Sequence, residues 1–380
     1  MNMRAVTPVI VTAGLIAVAW SVLLVLSGGD DRGDSKATLP TTLVLLRDDN
    51  LWVAPLDGSG EPRAITSSDY GAQYAGFARR ADGGTDLYYL EQLTESDDTG
   101  GPIDAALFRV GLEGGGPEEL HAFESRRLSP FSAPSALISP DGRHVLLTDF
   151  QGIVLLDLGT GTARRLLRNS PPCEGPINCY GYRRPIWSPG GELALIGKGV
   201  WEGGSDKIID PFAEEIEERD TPGGGSFTPR WSPDGQRLCV SEFTYSSAGA
   251  ALVYDLATGE TTDATLDLPL PTPEEEGRLR IDTRSCAWSP LEGLAISFNA
   301  PDNYIYGAIA IFDNSFKLLH QSDLIENLAD VVDYLPDGSG VVYNRWHAQG
   351  GGARQPGIYY PDRGLIELSI EADAVLAVIP

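Results

Sequence analysis

Residues 231–235 read Trp231-Ser232-Pro233-Asp234-Gly235, and this phrase decides the fold because it returns. Proline presets φ for a turn, aspartate hydrogen-bonds its own backbone, and glycine supplies positive φ. The phrase is therefore a tight turn joining two antiparallel strands. It recurs as Ile138-Ser139-Pro140-Asp141-Gly142 and Trp187-Ser188-Pro189-Gly190-Gly191. Looser copies are Trp288-Ser289-Pro290-Leu291-Glu292-Gly293 and Tyr334-Leu335-Pro336-Asp337-Gly338, with a degenerate one at Arg80-Ala81-Asp82-Gly83-Gly84.

Each clear copy is followed by an apolar strand, at 144–149, 192–197, 237–242, 294–298 and 340–344. A third strand comes next, as at 153–158, 251–256, 308–313 and 357–362, then a second tight turn such as Gly159-Thr160-Gly161 or Ala257-Thr258-Gly259. A fourth strand, such as 162–167 or 365–369, closes the unit. Four antiparallel strands per repeat with no helix between them make the blade of a β-propeller. Over residues 41–380 the chain resembles the PD40 repeats of TolB-like (WD40-like) propellers, whose hallmark is the W-S-P-D-G turn. The resemblance implies an all-β ring and protein partners in the cell envelope.

Residues 42–66 hold the second, third and fourth strands of a blade but no first strand, and residues 373–379 (DAVLAVI) are a spare apolar strand. The two pieces complete one blade and close the ring through the C-terminus, which removes open sheet edges. Seven blades of ~49 residues are expected, near the usual ~40–45 of a propeller repeat. Six is the alternative if residues 70–123 form no blade.

Residues 5–29 carry no charged side chain, with Arg4 before them and Asp30 and Asp31 after. The stretch is long enough to cross a bilayer, and the charge bias puts Met1 inside and the propeller outside. The expected organisation is a signal anchor over 1–29, a polar linker over 30–40 and the propeller over 41–380. A cleaved signal peptide is the other reading, and it also exports the propeller. The formal charge of −26, from 54 acidic and 28 basic residues, argues against nucleic acid as a partner.

A blade's strands alternate direction, so the strand one–two and three–four turns share one face of the ring. Those turns read as uniformly tight. The other class of connection holds the insertions, at 93–104, 123–135, 169–185, 199–206, 222–228, 244–249, 266–284, 299–307 and 345–356. Binding residues concentrate on long loops over a rigid scaffold. The expected ligand site is thus the long-loop face at or near the central channel, with Arg184, Trp201, Trp346 and His347 first and Tyr182 and Tyr304 behind them. Tyr, Trp and Arg are the usual anchors of binding surfaces. Trp187, Trp231 and Trp288 end first strands and read as packing between blades.

The four histidines show no metal-ligand spacing, and no G-x-S-x-G elbow or phosphate-binding loop occurs. No cofactor or metal is expected. The leading function is a membrane-anchored, extracytoplasmic scaffold binding a protein, peptide or glycan. The alternative is a propeller hydrolase or lyase acting on extracellular carbohydrate or peptide, whose carboxylate pair would be set by the fold. Cys173 and Cys179 are expected to form a disulfide in an exported loop. Cys239 and Cys286, in strands of adjacent blades, read as buried thiols, with a cross-blade bridge as the other reading.

Overall fold

The computed structural model describes residues 41–95, 102–125, 135–170, 181–200, 203–223, 229–244, 247–266, 268, 282–291, 293–300, 303–345, 356–370 and 372–380. Residues 5–29, Cys173, Cys179, Trp201, Trp346 and His347 lie outside that set. The compact propeller unit is Thr41–Pro380. Its described residues form seven antiparallel sheets, six of four strands and one of five, in chain order except that the last strand of the chain opens the first sheet. Blade 1 contains Ala374–Ile379, Thr42–Arg47, Asn50–Pro55 and Arg63–Ala64. Blade 2 contains Ala72–Arg79, Thr85–Gln92, Ile103–Gly111 and Glu118–Ser125. Blade 3 contains Ala136–Ile138, His144–Asp149, Gly152–Asp157 and Ala163–Arg168. Blade 4 contains Gly181–Trp187, Ala194–Val200, Gly203–Ile209 and Arg219–Asp220. Blade 5 contains Arg230–Trp231, Arg237–Thr244, Ser247–Asp255 and Thr261–Asp263. Blade 6 contains Asp282–Trp288, Leu294–Ala300, Asn303–Phe312 and Leu318–Gln321, with Ile325–Glu326 as a fifth strand against Asn303–Phe312. Blade 7 contains Leu328–Tyr334, Val341–Arg345, Gly357–Tyr360 and Gly364–Glu367.

The repeated turn works as its residues dictate. In Ser232–Gly235 the Gly235 amide donates to the Ser232 carbonyl at 2.8 Å, and Gly235 has φ 69°. The Ser232 hydroxyl donates to Asp234 Oδ1 at 2.6 Å, and the Gln236 amide donates to the same oxygen at 3.0 Å. The degenerate copy keeps part of this scheme, with Gly83 N–H on the Arg80 carbonyl at 3.0 Å and Gly84 N–H on Asp82 Oδ1 at 2.9 Å. That copy does open a blade, so the count is seven and not six.

Most blades are covered on both sheet faces, which explains strands that read as apolar runs and not as alternations. In Thr42–Arg47, Leu43 and Leu45 face blade 7 while Val44 and Leu46 face blade 2. The core is accordingly a set of inter-blade clusters, one for each neighbouring pair around the ring. Three tryptophans stitch successive blades. The Trp187, Trp231 and Trp288 indole N–H groups donate to the carbonyls of Leu137, Ile186 and Arg230, at 2.9, 3.4 and 3.0 Å. Each bond reaches back to the first strand of the preceding blade. Tyr334 holds the corresponding place in blade 7, and its buried hydroxyl has no partner among the described residues.

The ring closes as the spare strand requires. Ala374–Ile379 pairs antiparallel with Thr42–Leu46. The Asn344 side chain of blade 7 brackets this strand, donating to the Val375 carbonyl at 2.9 Å and accepting from the Val375 amide at 2.8 Å. Between blades 5 and 6, Cys239 and Cys286 form a disulfide inside a fully buried cluster. This corrects the reading of two free thiols. Cys239 faces blade 6 from a second strand and Cys286 faces blade 5 from a first strand, so adjacent strands bring their sulfurs together.

Two expectations about loops change. Segments 199–206, 244–249 and 299–307 are largely paired strand, with partners such as Val200↔Gly203, Thr244↔Ser247 and Ala300↔Asn303. They are extended hairpins, because small and β-prone residues continue the ladder where a loop was expected. The strand three–four connections are not all tight either. Residues 210–218 form a long one in blade 4, tied down by Arg164 of blade 3, whose guanidinium donates to the Ala213 carbonyl at 2.8 Å and also to that of Pro211.

Candidate functional site

The first strands of all seven blades line a central channel. It contains a cavity of about 680 Å³ walled by Tyr74, Phe77, Ile138, Ile186, Ala287, Val332 and Leu376, among others. The rims of Trp187, Trp231 and Trp288 belong to the wall as well, together with Pro140, Pro189 and Pro233 of the repeated turns. The tryptophans therefore serve both the contact between blades and the cavity surface. Because the lining comes from the ends of first strands and from strand one–two turns, the cavity lies toward the tight-turn face.

The wall is mostly apolar, and its polar groups stand out. Tyr74 enters from blade 2, Arg230 from blade 5 and Asp333 from blade 7. Arg230 donates through Nη2 to the Val332 carbonyl at 3.3 Å, and Asp333 Oδ1 accepts the Tyr334 amide at 2.8 Å. Asp333 is exposed to the channel, whose walls come from all seven blades. Loss of bulk hydration raises its carboxyl pKa, and the nearby Arg230 cation opposes the rise without cancelling it. The same desolvation pushes the Tyr74 phenol up, helped by Asp333. A donor, an acceptor and a phenol thus share one confined space, an arrangement that can orient a polar segment of a ligand whose remainder fills apolar wall.

A smaller hollow of about 330 Å³ adjoins the channel mouth between blades 3 and 4, lined by Asp141, His144, Glu192, Asp210 and Phe212 among others. His144 lies 4.0 Å from Asp141 Oδ1 and 3.9 Å from Asp157 Oδ2, and packs edge-on to Phe212 at 5.0 Å. Asp141 is held by its own turn, accepting from the Ser139 hydroxyl at 2.5 Å and the Arg143 amide at 3.1 Å. Those bonds keep its pKa low against the cost of burial. Among the described residues no three His, Cys, Asp or Glu side chains are placed to hold a metal ion.

The residues singled out from the sequence lie elsewhere. Tyr182 is buried in blade 4, 5% exposed, with its hydroxyl donating to Glu218 at 2.6 Å. Arg184 sits 3.6 Å from Asp206 on the side of blade 4 that faces blade 5. Tyr304 falls in the strand Asn303–Phe312. Neither Tyr182 nor Arg184 lines the channel cavity. Tyr74, Arg230 and Asp333 were not singled out, since no local pattern marks them; the only available signal was that each lies on a first strand.

No family model and no curated protein sequence matches this chain. Solved propellers do match it in structure. The periplasmic gluconolactonase of Pseudomonas aeruginosa superposes with a TM-score of 0.56, at 15% identity, over 90% of this chain and 99% of that one. An oligogalacturonate lyase in complex with manganese gives 0.54, at 11% identity, over 88% of this chain and 85% of that one. TolB from Acinetobacter baumannii gives 0.45, at 17% identity, over 81% of this chain and 69% of that one. Likeness at this level is likeness of fold, and the two matches above 0.5 agree with the β-propeller read from the repeated turns.

Proposed function

We propose that this propeller is a membrane-anchored, extracytoplasmic binding module that seats a protein or peptide segment in its central channel. The observation that carries the reading is the cavity of about 680 Å³, an apolar wall with Tyr74, Arg230 and Asp333 spread across three blades. Catalysis by paired carboxylates needs two acids facing one bond. The lining has Asp141 and Asp333, and Asp141 is committed to its own turn. The binding site sits toward the tight-turn mouth, the end opposite to the one loop lengths favour. Export is supported by the uncharged stretch 5–29 and by the buried Cys239–Cys286 bridge, a bond that persists in oxidising compartments.

The test uses residues 41–380 as bait against envelope proteins, beside Arg230→Ala and Asp333→Ala versions. A true channel ligand is lost or weakened by about 1–3 kcal/mol in both variants, at unchanged melting temperature. A partner held equally by all three baits places recognition outside the channel.

A second reading has one specific support, His144 lying within 4.0 Å of both Asp141 and Asp157 beside the channel mouth. On that reading the protein is a hydrolase or lyase acting on carbohydrate, as the names of the gluconolactonase and oligogalacturonate lyase state for those proteins. Turnover of a sugar lactone or an oligogalacturonate that vanishes in His144→Ala would establish it; no turnover of either removes it.

A further inference from the structure

Blade 4 carries an electrostatic imbalance that the channel does not use. Its first strand pairs with the second in register from Gly181↔Gly199 to Arg183↔Gly197, then shifts before Ile186↔Leu195. Within this irregularity Arg184 adopts φ 54°, and Pro185 follows. Consecutive residues of a regular strand point to opposite faces, whereas a bulge can turn two neighbours to the same one. That happens here. A Cβ at Gly199 would lie 3.1 Å from the Arg183 guanidinium carbon, and one at Gly197 would lie 3.1 Å from Arg184 Nε. Gly197 and Gly199 share a sheet face, so both arginines lie over a glycine floor on it. Any larger residue at 197 or 199 would occupy the space of a guanidinium.

Among the described residues one carboxylate faces these two cations. Asp206 pairs with Gly197 across the ladder and is 1% exposed, with Oδ1 3.6 Å from Arg184 Nη2. Its Oδ2 and the Arg184 Nε are both buried and without a hydrogen-bond partner among the described residues. Arg183 is exposed, with no hydrogen bond or ion pair at its side chain among the described residues. Among the described residues the local balance is therefore two positive charges to one negative, in a chain of formal charge −26. Burial and the neighbouring Arg183 both disfavour the Arg184 cation, and burial pushes Asp206 up to about 6 in spite of its partner. Opposite this face, the first strand of blade 5 among the described residues is Arg230–Trp231. A guanidinium is a planar fork matched to two oxygens of an oxyanion.

We propose that Arg183 and Arg184 form an oxyanion-binding site on the face of blade 4 turned toward blade 5, taking a carboxylate, sulfate or phosphate group of an acidic ligand. Arg183 is the accessible half, Arg184 the preorganised half, and Asp206 an internal anion that holds Arg184 in place while competing with the ligand. The site is independent of the channel reading, because none of the three residues lines that cavity.

The full chain is titrated with acetate, inorganic sulfate and inorganic phosphate at constant ionic strength, with chloride as the balancing anion, and the melting temperature is followed. A saturable rise with at least one oxyanion, absent with chloride, is expected. The oxyanion that binds tightest separates a planar carboxylate from a tetrahedral ester group. Arg183→Ala, an exposed change that leaves the blade intact, should weaken binding at least about tenfold, the loss of one charged hydrogen-bonding partner. Asp206→Asn should tighten it by roughly threefold or more by removing the competing charge. No oxyanion response, an Arg183→Ala protein that binds like the parent, or an Asp206→Asn protein that binds more weakly would each overturn the proposal.

Discussion

Deleting residues 374–380 tests whether the ring depends on its last strand. That strand buries Val375, Val378 and Ile379 to 1%, 6% and 2% exposure, and it supplies the Val375 backbone groups that satisfy Asn344. Burying one such side chain is worth about 1.5–3 kcal/mol, so the three together contribute roughly 5–9 kcal/mol before any hydrogen bond is counted. Domains are stable by only about 5–15 kcal/mol in total. The truncated chain should therefore fail to give a cooperative melt, bind a hydrophobic dye, and elute as aggregate on gel filtration, since it exposes the unpaired edge of Thr42–Arg47. The milder Ile379→Ala should cost about 2–5 kcal/mol and keep the fold. A truncated protein that stays monomeric with the parent's melting temperature would refute closure as the source of ring stability.

Replacing both Cys239 and Cys286 by alanine should destabilise the ring by about 4 kcal/mol in the chain-entropy treatment of a bridge 47 residues apart. In the intact protein, alkylation at these positions should require denaturant and reductant together, as read by peptide mass mapping. Tyr334→Trp should raise the melting temperature, by about 0.5–1.5 kcal/mol of stability, because an indole there can reach the Ala287 carbonyl as its counterparts reach theirs; a drop would show that the site cannot take the larger ring. For pH, Asp206 titrates at about 6 folded against 3.8 as the reference value. The folded state binds the extra proton within that window, so this group's contribution to stability falls as pH rises from about 4 to about 6. The turn aspartates Asp141, Asp234 and Asp313 have the opposite sign, because their pKa values are lowered. Comparing denaturant midpoints of the parent and Asp206→Asn across that range should show a steeper fall in the parent than in the variant.

The fold was legible because its grammar is local. Each Ser-Pro-Asp-Gly turn satisfies its own hydrogen bonds within six residues, from Ser232 to Arg237 in the best copy. It therefore leaves a mark in any short window. Even the copy at 80–84, which lacks serine and proline, retained Asp82 and the glycines that make the turn. The site was not legible for the opposite reason. Tyr74, Arg230 and Asp333 meet only because blades 2, 5 and 7 face a common axis, and a convergence set by ring geometry has no signature in spacing. Loop length misled at blade 4. Segment 199–206 reads as insertion, but Gly199 sits in a regular ladder and, with Gly197, makes room for arginines. The long connection at 210–218 passed unnoticed, although it brings Phe212 against His144 and Trp187. The cysteine pair lay between these extremes. Both residues were correctly placed in adjacent blades, but whether two inward faces meet depends on strand register, which the sequence expresses only once the turns are aligned.

The backward-reaching tryptophans give the ring a polarity with a bearing on how such a molecule changes size. Trp231 takes its carbonyl from blade 4, and blade 5 offers its own carbonyl at Arg230 to Trp288. A blade of this design arrives with one donor for its predecessor and one acceptor for its successor. Gene duplication of a single repeat would thus insert a unit already compatible with both neighbours, the head-to-tail logic of any heterologous interface. The junction of blades 7 and 1 has no such indole and is locked by Asn344 instead. Repeat gain and loss should accordingly be tolerated among the tryptophan-linked blades and resisted at the seam, which fixes where the chain's two ends must remain.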